Sequence, residues 1–230
     1  MYKYLLFDLD NTLLDFDAAE ERSLKKTFQK YNVPISKENI SEFRKINQKY
    51  WEMYERKEIE KKDLIVYRFR DFFNKLDGFQ NINPQEVNDF YLFSLTDEAE
   101  EMPYSNYVLS ELDGICYSVI VTNGVRKTQL ERIAKSTFFN AISKVYISET
   151  IGIQKPEPGF FDYVLNDLNI VNKEEVLLIG DSLTADIIGG IKYGIDTAWY
   201  NINNLETELK PTYIIHDLRE LLKIINYNNK

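Results

Sequence analysis

The apolar run Tyr4-Leu5-Leu6-Phe7 stands alone for about a hundred residues, because no other convincing strand pattern occurs before residue 100. A strand cannot satisfy its own backbone, so its partners must come from the distal part of the chain. Between about residues 17 and 100 lie charged helical patterns. Ala18–Phe28, Ser41–Arg56 and Lys62–Leu76 each carry apolar residues at three- and four-residue spacing. Asn32-Val33-Pro34, Asp77-Gly78 and Asn83-Pro84 read as turns or helix ends. From about residue 101, short apolar strands alternate with helices. The predicted strands are Cys116–Val121, Lys144–Ile147, Val176–Ile179, Asp196–Tyr200 and Thr212–Ile215; the helices are Arg126–Lys135, Pro158–Leu168, Thr184–Tyr193 and Asp217–Ile225. Such alternation predicts an α/β protein with a parallel sheet and helices on both faces. The unbroken apolar run Val176–Ile179 suits a strand covered on both sides. The expected organisation is a core of residues 1–14 and 101–230, with a helical cap, 15–100, inserted after the first strand and above its carboxyl end. The tail Asn226–Lys230 is expected to fray.

Composition narrows the partners. The chain has 230 residues, 44% of them hydrophobic, enough for one good core plus an insertion. Its 28 basic and 37 acidic residues give a net charge of −9. That balance argues against broad nucleic-acid binding, which needs a basic face. It permits a small anionic substrate, because a few local positive groups can hold one phosphate. The single cysteine, Cys116, rules out an intramolecular disulfide and suits a reducing cytosol. No stretch approaches the ~18 to 20 apolar residues of a membrane span. Met1-Tyr2-Lys3 leaves no room for a signal peptide ahead of the first strand. The expectation is a soluble cytoplasmic protein without membrane or nucleic-acid partners.

In an open parallel sheet, functional groups collect where strands stop. The first strand runs into Asp8-Leu9-Asp10-Asn11-Thr12-Leu13-Leu14. Extending it would set Asp8 and Asp10 side by side, since residues two apart point the same way. Like charges that close resist joint ionisation unless a cation or a shared proton offsets them. The pattern suits a metal-assisted aspartate nucleophile; the plainer alternative is a surface turn rich in Asp and Asn. The strand Cys116–Val121 stops at Thr122-Asn123-Gly124. These groups, with the N-terminus of the next helix, suit phosphate oxygens, and an ordinary N-cap is the alternative. Lys155 lies in Gly152-Ile153-Gln154-Lys155-Pro156-Glu157-Pro158-Gly159, where the prolines restrict the backbone. A fixed ammonium can neutralise a nucleophilic carboxylate or a phosphoryl group; a solvated loop lysine is the alternative. Val176–Ile179 runs into Gly180-Asp181-Ser182-Leu183-Thr184-Ala185-Asp186. Magnesium takes hard oxygen ligands and typically one or two carboxylates. Asp8, Asp181 and a backbone carbonyl would suffice, whereas charges complementing a helix dipole are the alternative.

In this order the residues resemble the haloacid dehalogenase-like hydrolase superfamily. Asp8-Leu9-Asp10-Asn11-Thr12-Leu13 matches its first motif, Thr122 the second, Lys155 the third, and Gly180-Asp181 through Asp186 the fourth. The resemblance spans the chain in outline, and residues 15–100 look like the helical cap of its first cap class. It implies a Rossmann-like core and, for most members, Mg²⁺-dependent phosphatase chemistry on small molecules. It would make Asp8 the nucleophile that forms an aspartyl-phosphate and Asp10 the general acid/base. Thr122 would bind the phosphoryl group with help from the Asn123 backbone. Lys155 would orient Asp8 and offset its charge. Asp8, Asp181 and the carbonyl of Asp10 would ligate Mg²⁺, with Asp186 and Thr12 supporting them from behind.

The dehalogenases of the superfamily typically lack the second Asp, because breaking a carbon–halogen bond needs no acid. Phosphate monoesters, among the slowest substrates to react unaided, do need it. More narrowly, Phe7–Phe16, Val121–Val125 and Gly180–Ile187 resemble bacterial pyrimidine nucleotide 5′-phosphatases. That implies 5′-nucleotidase activity toward (deoxy)uridine or thymidine monophosphates. N-acylneuraminate 9-phosphatases share similar strings and remain an alternative, as do sugar-phosphate phosphatases. Phe16 and Trp51 are candidates for stacking on a base. Asp15, Asn47 and Tyr54 are further candidates for a pocket wall, and packing inside the cap is the alternative for each.

Other chemistries fit poorly. The sole histidine, His216, falls at a late strand-to-helix turn, which disfavours a histidine nucleophile. Cys116 opens a strand and lacks an arginine six residues on. There is no G-x-x-x-x-G-K-[ST] and no G-x-G-x-x-G; Gly189, Gly190 and Gly194 fit close packing or a C-cap. Ser182 reads as a turn residue, since His216 and Asp217 cannot readily complete a triad with it. A phosphosugar mutase would share the core residues but need a cap that excludes water. A non-catalytic binding module would tolerate loss of the charge on Asp8.

Overall fold

A computed structural model describes residues 1–227, and residues 228–230 of the tail expected to fray lie outside the described residues. The chain forms two compact units, one from Met1–Phe16 with Ala99 onward and one from Asp17–Glu98.

The second unit is helical: α1 (Phe16–Lys30), α2 (Lys37–Glu55), α3 (Lys61–Phe73) and α4 (Pro84–Leu95). Ser36 caps α2 by accepting the Asn39 N–H, and Asn83 caps α4 ahead of Pro84 at the first helical position. The helical patterning singled out α1 to α3 but not α4. In α4, Phe90 and the exposed Phe93 blur the apolar stripe. Aromatic rings fill the interior: Phe28 stacks on Phe72 at 5.2 Å, and Phe43 meets Phe69 at 4.7 Å. The same interior holds a charged pair that the charged patterns conceal. Buried Arg68 donates to Asn47 Oδ1 and Asn88 Oδ1, each at 2.9 Å, and Asn47 donates to Glu20 Oε1 at 2.9 Å. Arg44 closes on the other Glu20 oxygen at 2.9 Å. Burial pushes the Glu20 carboxyl up and the Arg68 guanidinium down, so the amide bridges and Arg44 are what keep these charges tolerable. Asn47 is thus committed to this network.

The first unit holds six parallel strands: β1 (Tyr4–Phe7), β2 (Tyr117–Thr122), β3 (Lys144–Ile147), β4 (Val176–Gly180), β5 (Asp196–Tyr200) and β6 (Tyr213–Ile215). Their order is β3-β2-β1-β4-β5-β6. The helices are α5 (Ser105–Leu112), α6 (Arg126–Lys135), α7 (Ser148–Ile151), α8 (Pro158–Asp167), α9 (Ile188–Tyr193) and α10 (Glu220–Tyr227). Alternate residues of the central strands feed two separate cores. Leu5, Phe7, Ile120, Leu177 and Ile179 pack with α5, α6 and α10, while Leu6, Val119, Val121, Val176 and Leu178 pack with α8. This is a Rossmann-like sheet with helices on both faces, and a helical cap is inserted after β1. Among the described residues no helix is long and apolar enough to cross a membrane.

The strand order places the site. From β1 the chain builds outward through β2 and β3, then returns to the other side of β1 for β4. The crevice beyond the carboxyl ends of β1 and β4 is therefore the switch point at which such sheets bind ligands. The helix expected over Thr184–Tyr193 begins instead with a π-helical turn, Leu183–Ile187, directly after β4. Such wide turns are often found at functional sites.

Candidate active site

Two strand ends bring the first carboxylates together. Phe7 pairs with Ile179, and the Asp8 N–H donates to the Ile179 carbonyl at 2.8 Å, so β1 and β4 stay in step one residue past the sheet. Asp8 then lies next to Gly180, with Asp181 following. The π-helical turn brings Asp186 back over the same point, where Asp186 Oδ2 accepts the Ser182 N–H at 3.2 Å. A β-carbon at Gly180 would sit 2.2 Å from Asp186 Oδ2, so only glycine leaves room for that carboxylate. Ser182 caps the turn by accepting the Ala185 N–H at 3.1 Å.

Lys155 enters from the loop between α7 and α8. Asn123, at the end of β2, ties that loop down. Its Nδ2 donates to the Lys155 carbonyl at 2.8 Å, and its Oδ1 accepts the Lys155 N–H at 3.0 Å. The carboxamide of Asn123 is thereby spent on positioning Lys155. The ammonium is only 1% exposed, which excludes a solvated loop lysine. It reaches Asp8 Oδ1 and Asp186 Oδ1, each at 2.6 Å.

Charge in this pocket is unbalanced. Oxygens of Asp8, Asp181 and Asp186 lie within 4.8 Å of one another, with one lysine among them. Burial, opposed by Lys155 but reinforced by Asp186 and Asp10, pushes the Asp8 carboxyl up to about 7. Burial likewise holds Asp181 well above the usual range, with Asp8 and Asp186 adding to it. Burial works against the Lys155 charge, but Asp186 and Asp8 outweigh it and hold the ammonium above its ordinary value. Asp181 has no ion pair of its own among the described residues; Trp199 Nε1 fixes its carbonyl at 2.9 Å. Clustered hard oxygens with uncompensated charge fit a divalent cation of the magnesium type.

Asp10 is not one of the three clustered carboxylates. β1 ends at Phe7, so the side-by-side arrangement expected from a continued strand gives way to different partners for the two aspartates. Asp10 Oδ1 accepts from Arg132 Nη1 at 2.5 Å, and Oδ2 accepts from Gln129 Nε2 at 2.7 Å. Gln129 Nε2 also donates to Thr122 Oγ1 at 3.0 Å. The structure therefore brings Asp8, Lys155, Asp181 and Asp186 into one group, and Asp10 and Thr122 into a second joined by Gln129. Neither Gln129 nor Arg132 stood out in the sequence. The available signal was their place on α6 beside Thr128 and Ile133, on a face that turns inward.

The remaining candidates differ in their surroundings. Thr12 is buried, and its hydroxyl has no hydrogen-bond partner among the described residues. Phe16 is half-buried, with its N–H on Asn11 Oδ1 at 3.0 Å and the Arg132 guanidinium 5.7 Å from its ring centre. In the helical unit, Trp51 is half-buried against Tyr54. The start of α6, expected to offer its N–H groups to phosphate, gives the Arg126 N–H to Glu149 Oε2 at 2.9 Å. His216 is exposed after β6, with Nδ1 2.6 Å from the Asn201 carbonyl, away from any nucleophilic role.

The profile of the haloacid dehalogenase-like hydrolase family matches residues 5–200. The chain belongs to that family. The hydrolase is similar to the pyrimidine 5′-nucleotidase PynA of Streptococcus pneumoniae, with 35% identity over 99% of this chain and 96% of the relative. The pyrimidine 5′-nucleotidase YjjG of Escherichia coli is 27% identical over 97% of this chain and 98% of its own. Its fold matches a crystal structure of the hydrolase YfnB from Bacillus subtilis with a TM-score of 0.92 and 34% identity, covering 98% of this chain and 99% of that one. That crystal structure is of YfnB bound to magnesium.

Proposed function

We propose that this hydrolase is a Mg²⁺-dependent phosphatase that cleaves phosphate monoesters through an aspartyl-phosphate on Asp8, with pyrimidine nucleoside monophosphates as its substrates. The observation that carries the reading is the buried Lys155 ammonium shared between Asp8 and Asp186 at 2.6 Å each, beside Asp181. Lys155 engages one oxygen of Asp8 and leaves the other for attack. Asp8, Asp181 and the main-chain carbonyl of Asp10 would hold the cation. Bound there, it offsets the carboxylate charge and polarises the phosphoryl oxygens.

The chain's own residues then divide the work. Asp8 forms a bond to phosphorus as the ester P–O bond breaks, and Asp10 gives its proton to the departing alkoxide. Asp10, now a carboxylate, takes a proton from water, which attacks phosphorus and releases inorganic phosphate from Asp8. Thr122 binds the phosphoryl group in both steps. Phe16 would contact the base, which is the part of the substrate that distinguishes a nucleotide from other esters. The nucleotide assignment is supported by the named activities of PynA and YjjG. The presence of Asp10 supports ester hydrolysis over dehalogenation. The test is a phosphate-release screen across nucleoside monophosphates, sugar phosphates and sialic acid 9-phosphate, with Asp8→Asn as the control. Highest kcat/KM on a pyrimidine nucleotide is expected, and a flat profile or residual turnover by Asp8→Asn sinks the respective part of the reading.

A further inference from the structure

We infer that Gln129 is a positioning residue that forces the Thr122 hydroxyl to offer its proton to the phosphoryl group, and that Arg132 fixes Gln129 for that task. The inference deepens the phosphatase reading above and rests on it. A hydroxyl has one proton to donate and two lone pairs with which to accept. Thr122 Oγ1, buried at the end of β2, accepts the Gly124 N–H at 3.1 Å and Gln129 Nε2 at 3.0 Å. Neither of those groups can accept. With both lone pairs engaged, the proton is what remains for a ligand, and a phosphoryl oxygen is an acceptor.

The orientation of the Gln129 amide is what makes this polarity firm. An amide can be turned end for end at little cost unless its neighbours differ. Here they do. Gln129 Oε1 accepts from Arg132 Nη1 at 3.1 Å, and Arg132 has no acceptor. Gln129 Nε2 donates to Asp10 Oδ2 at 2.7 Å. Arg132 Nη1 returns to Asp10 Oδ1, closing a ring of three residues in which the amide has one workable orientation. Its second N–H is thereby aimed at Thr122. Gly124 supplies an independent sign of the arrangement, because a β-carbon there would lie 2.2 Å from Gln129 Nε2. The amide is packed against bare backbone at the very turn expected to receive phosphate.

The experiment compares wild type, Asp8→Asn, Gln129→Met, Thr122→Val and the double variant Gln129→Met/Thr122→Val. Each is assayed with p-nitrophenyl phosphate and Mg²⁺, and inhibition by inorganic phosphate reads the Thr122 contact directly. Gln129→Met and Thr122→Val should each weaken phosphate inhibition about tenfold, the usual scale for one hydrogen bond to a charged group. The double variant should be no weaker than Thr122→Val alone, since Gln129 acts through that hydroxyl. Gln129→Glu, nearly the same shape but presenting oxygen in place of the donor, should do at least as much damage as Gln129→Met. It carries the same comparison if Gln129→Met does not fold. Wild-type inhibition by phosphate in the Gln129 variants, or losses that multiply in the double variant, would overturn the inference. An inactive wild type would remove the phosphatase reading with it, whereas an active wild type with a dead Asp8→Asn isolates the failure to Gln129.

Discussion

Arg132 Nη1 lies 2.5 Å from Asp10 Oδ1, which places a buried guanidinium on the carboxylate assigned to proton transfer. Because the same nitrogen holds Gln129 Oε1, the shorter reach and point charge of lysine cannot replace it fully. Arg132→Met should lower kcat/KM by roughly 10- to 100-fold, the scale of a lost charge-assisted bond. Arg132→Lys should fall between that and wild type. Steady-state kinetics check this, and full activity in Arg132→Met would free Asp10 of any dependence on it.

Lys155→Met should destabilise the protein as well as inactivate it. The substitution strips the buried carboxylates of Asp8 and Asp186 of their shared cation. Breaking a buried pair on one side typically costs about 3–5 kcal/mol. Mg²⁺ or mild acid should recover part of the loss, by neutralising the same oxygens. Thermal melts decide it: a melting temperature equal to wild type contradicts the role of Lys155 as the pocket's counter-charge.

The pH dependence without metal has a definite sign. Asp8 is raised from an ordinary 3.8 to about 7, so the folded state binds its proton more tightly than the unfolded state does. Its stabilising contribution is complete below about pH 4, from the unfolded value, and is lost as pH rises through about 7. Asp181 is shifted in the same direction. In EDTA the melting temperature should therefore fall between pH 5 and pH 8. Mg²⁺, which must displace those protons, should restore it at pH 8 and do little at pH 5. A metal-free melting temperature that climbs with pH across this interval is the opposite result.

Metal removal should abolish phosphatase activity, and added Mg²⁺ should return it. Asp181→Asn keeps the shape but removes a ligand charge, so it should raise the Mg²⁺ concentration needed for half-maximal activity by at least about tenfold. A magnesium titration with unchanged midpoint would take Asp181 out of the metal site.

Phe16→Ala separates base recognition from chemistry. Stacking on one base is worth about 1–3 kcal/mol, so KM for a pyrimidine nucleotide should rise about tenfold or more. Turnover of p-nitrophenyl phosphate, which carries no base, should change much less. Equal losses on both substrates would assign the Phe16 ring to packing against the Arg132 guanidinium instead.

What the sequence made legible was local. The end of each strand is marked by a change from apolar to polar residues within one or two positions, which is why Asp8, Thr122 and Asp181 could be placed from pattern alone. The two prolines that follow Lys155 advertised its restraint. Gln129 and Arg132 carried no such mark, because their partner Asp10 lies 119 and 122 residues away and nothing local specifies that pairing. The buried tie from Glu20 through Asn47 to Arg68 was hidden for a related reason. Charged side chains on helices ordinarily face water, and only packing of α1 to α4 reveals that these do not. The π-helical turn at Leu183–Ile187 was similarly beyond periodicity, which distinguishes helix from strand but not one helical winding from another.

Gly180 shows how a missing atom can govern an ionic balance. Asp186 Oδ2 stands where the methyl of an alanine would be, so even that smallest addition evicts the carboxylate from its seat. Lys155 would then lose its contact with Asp186 and keep the one to Asp8, so the pull on the ammonium would shift toward Asp8. The setting of Asp8 is thus tuned from a neighbouring strand by the one residue there that contributes no side chain.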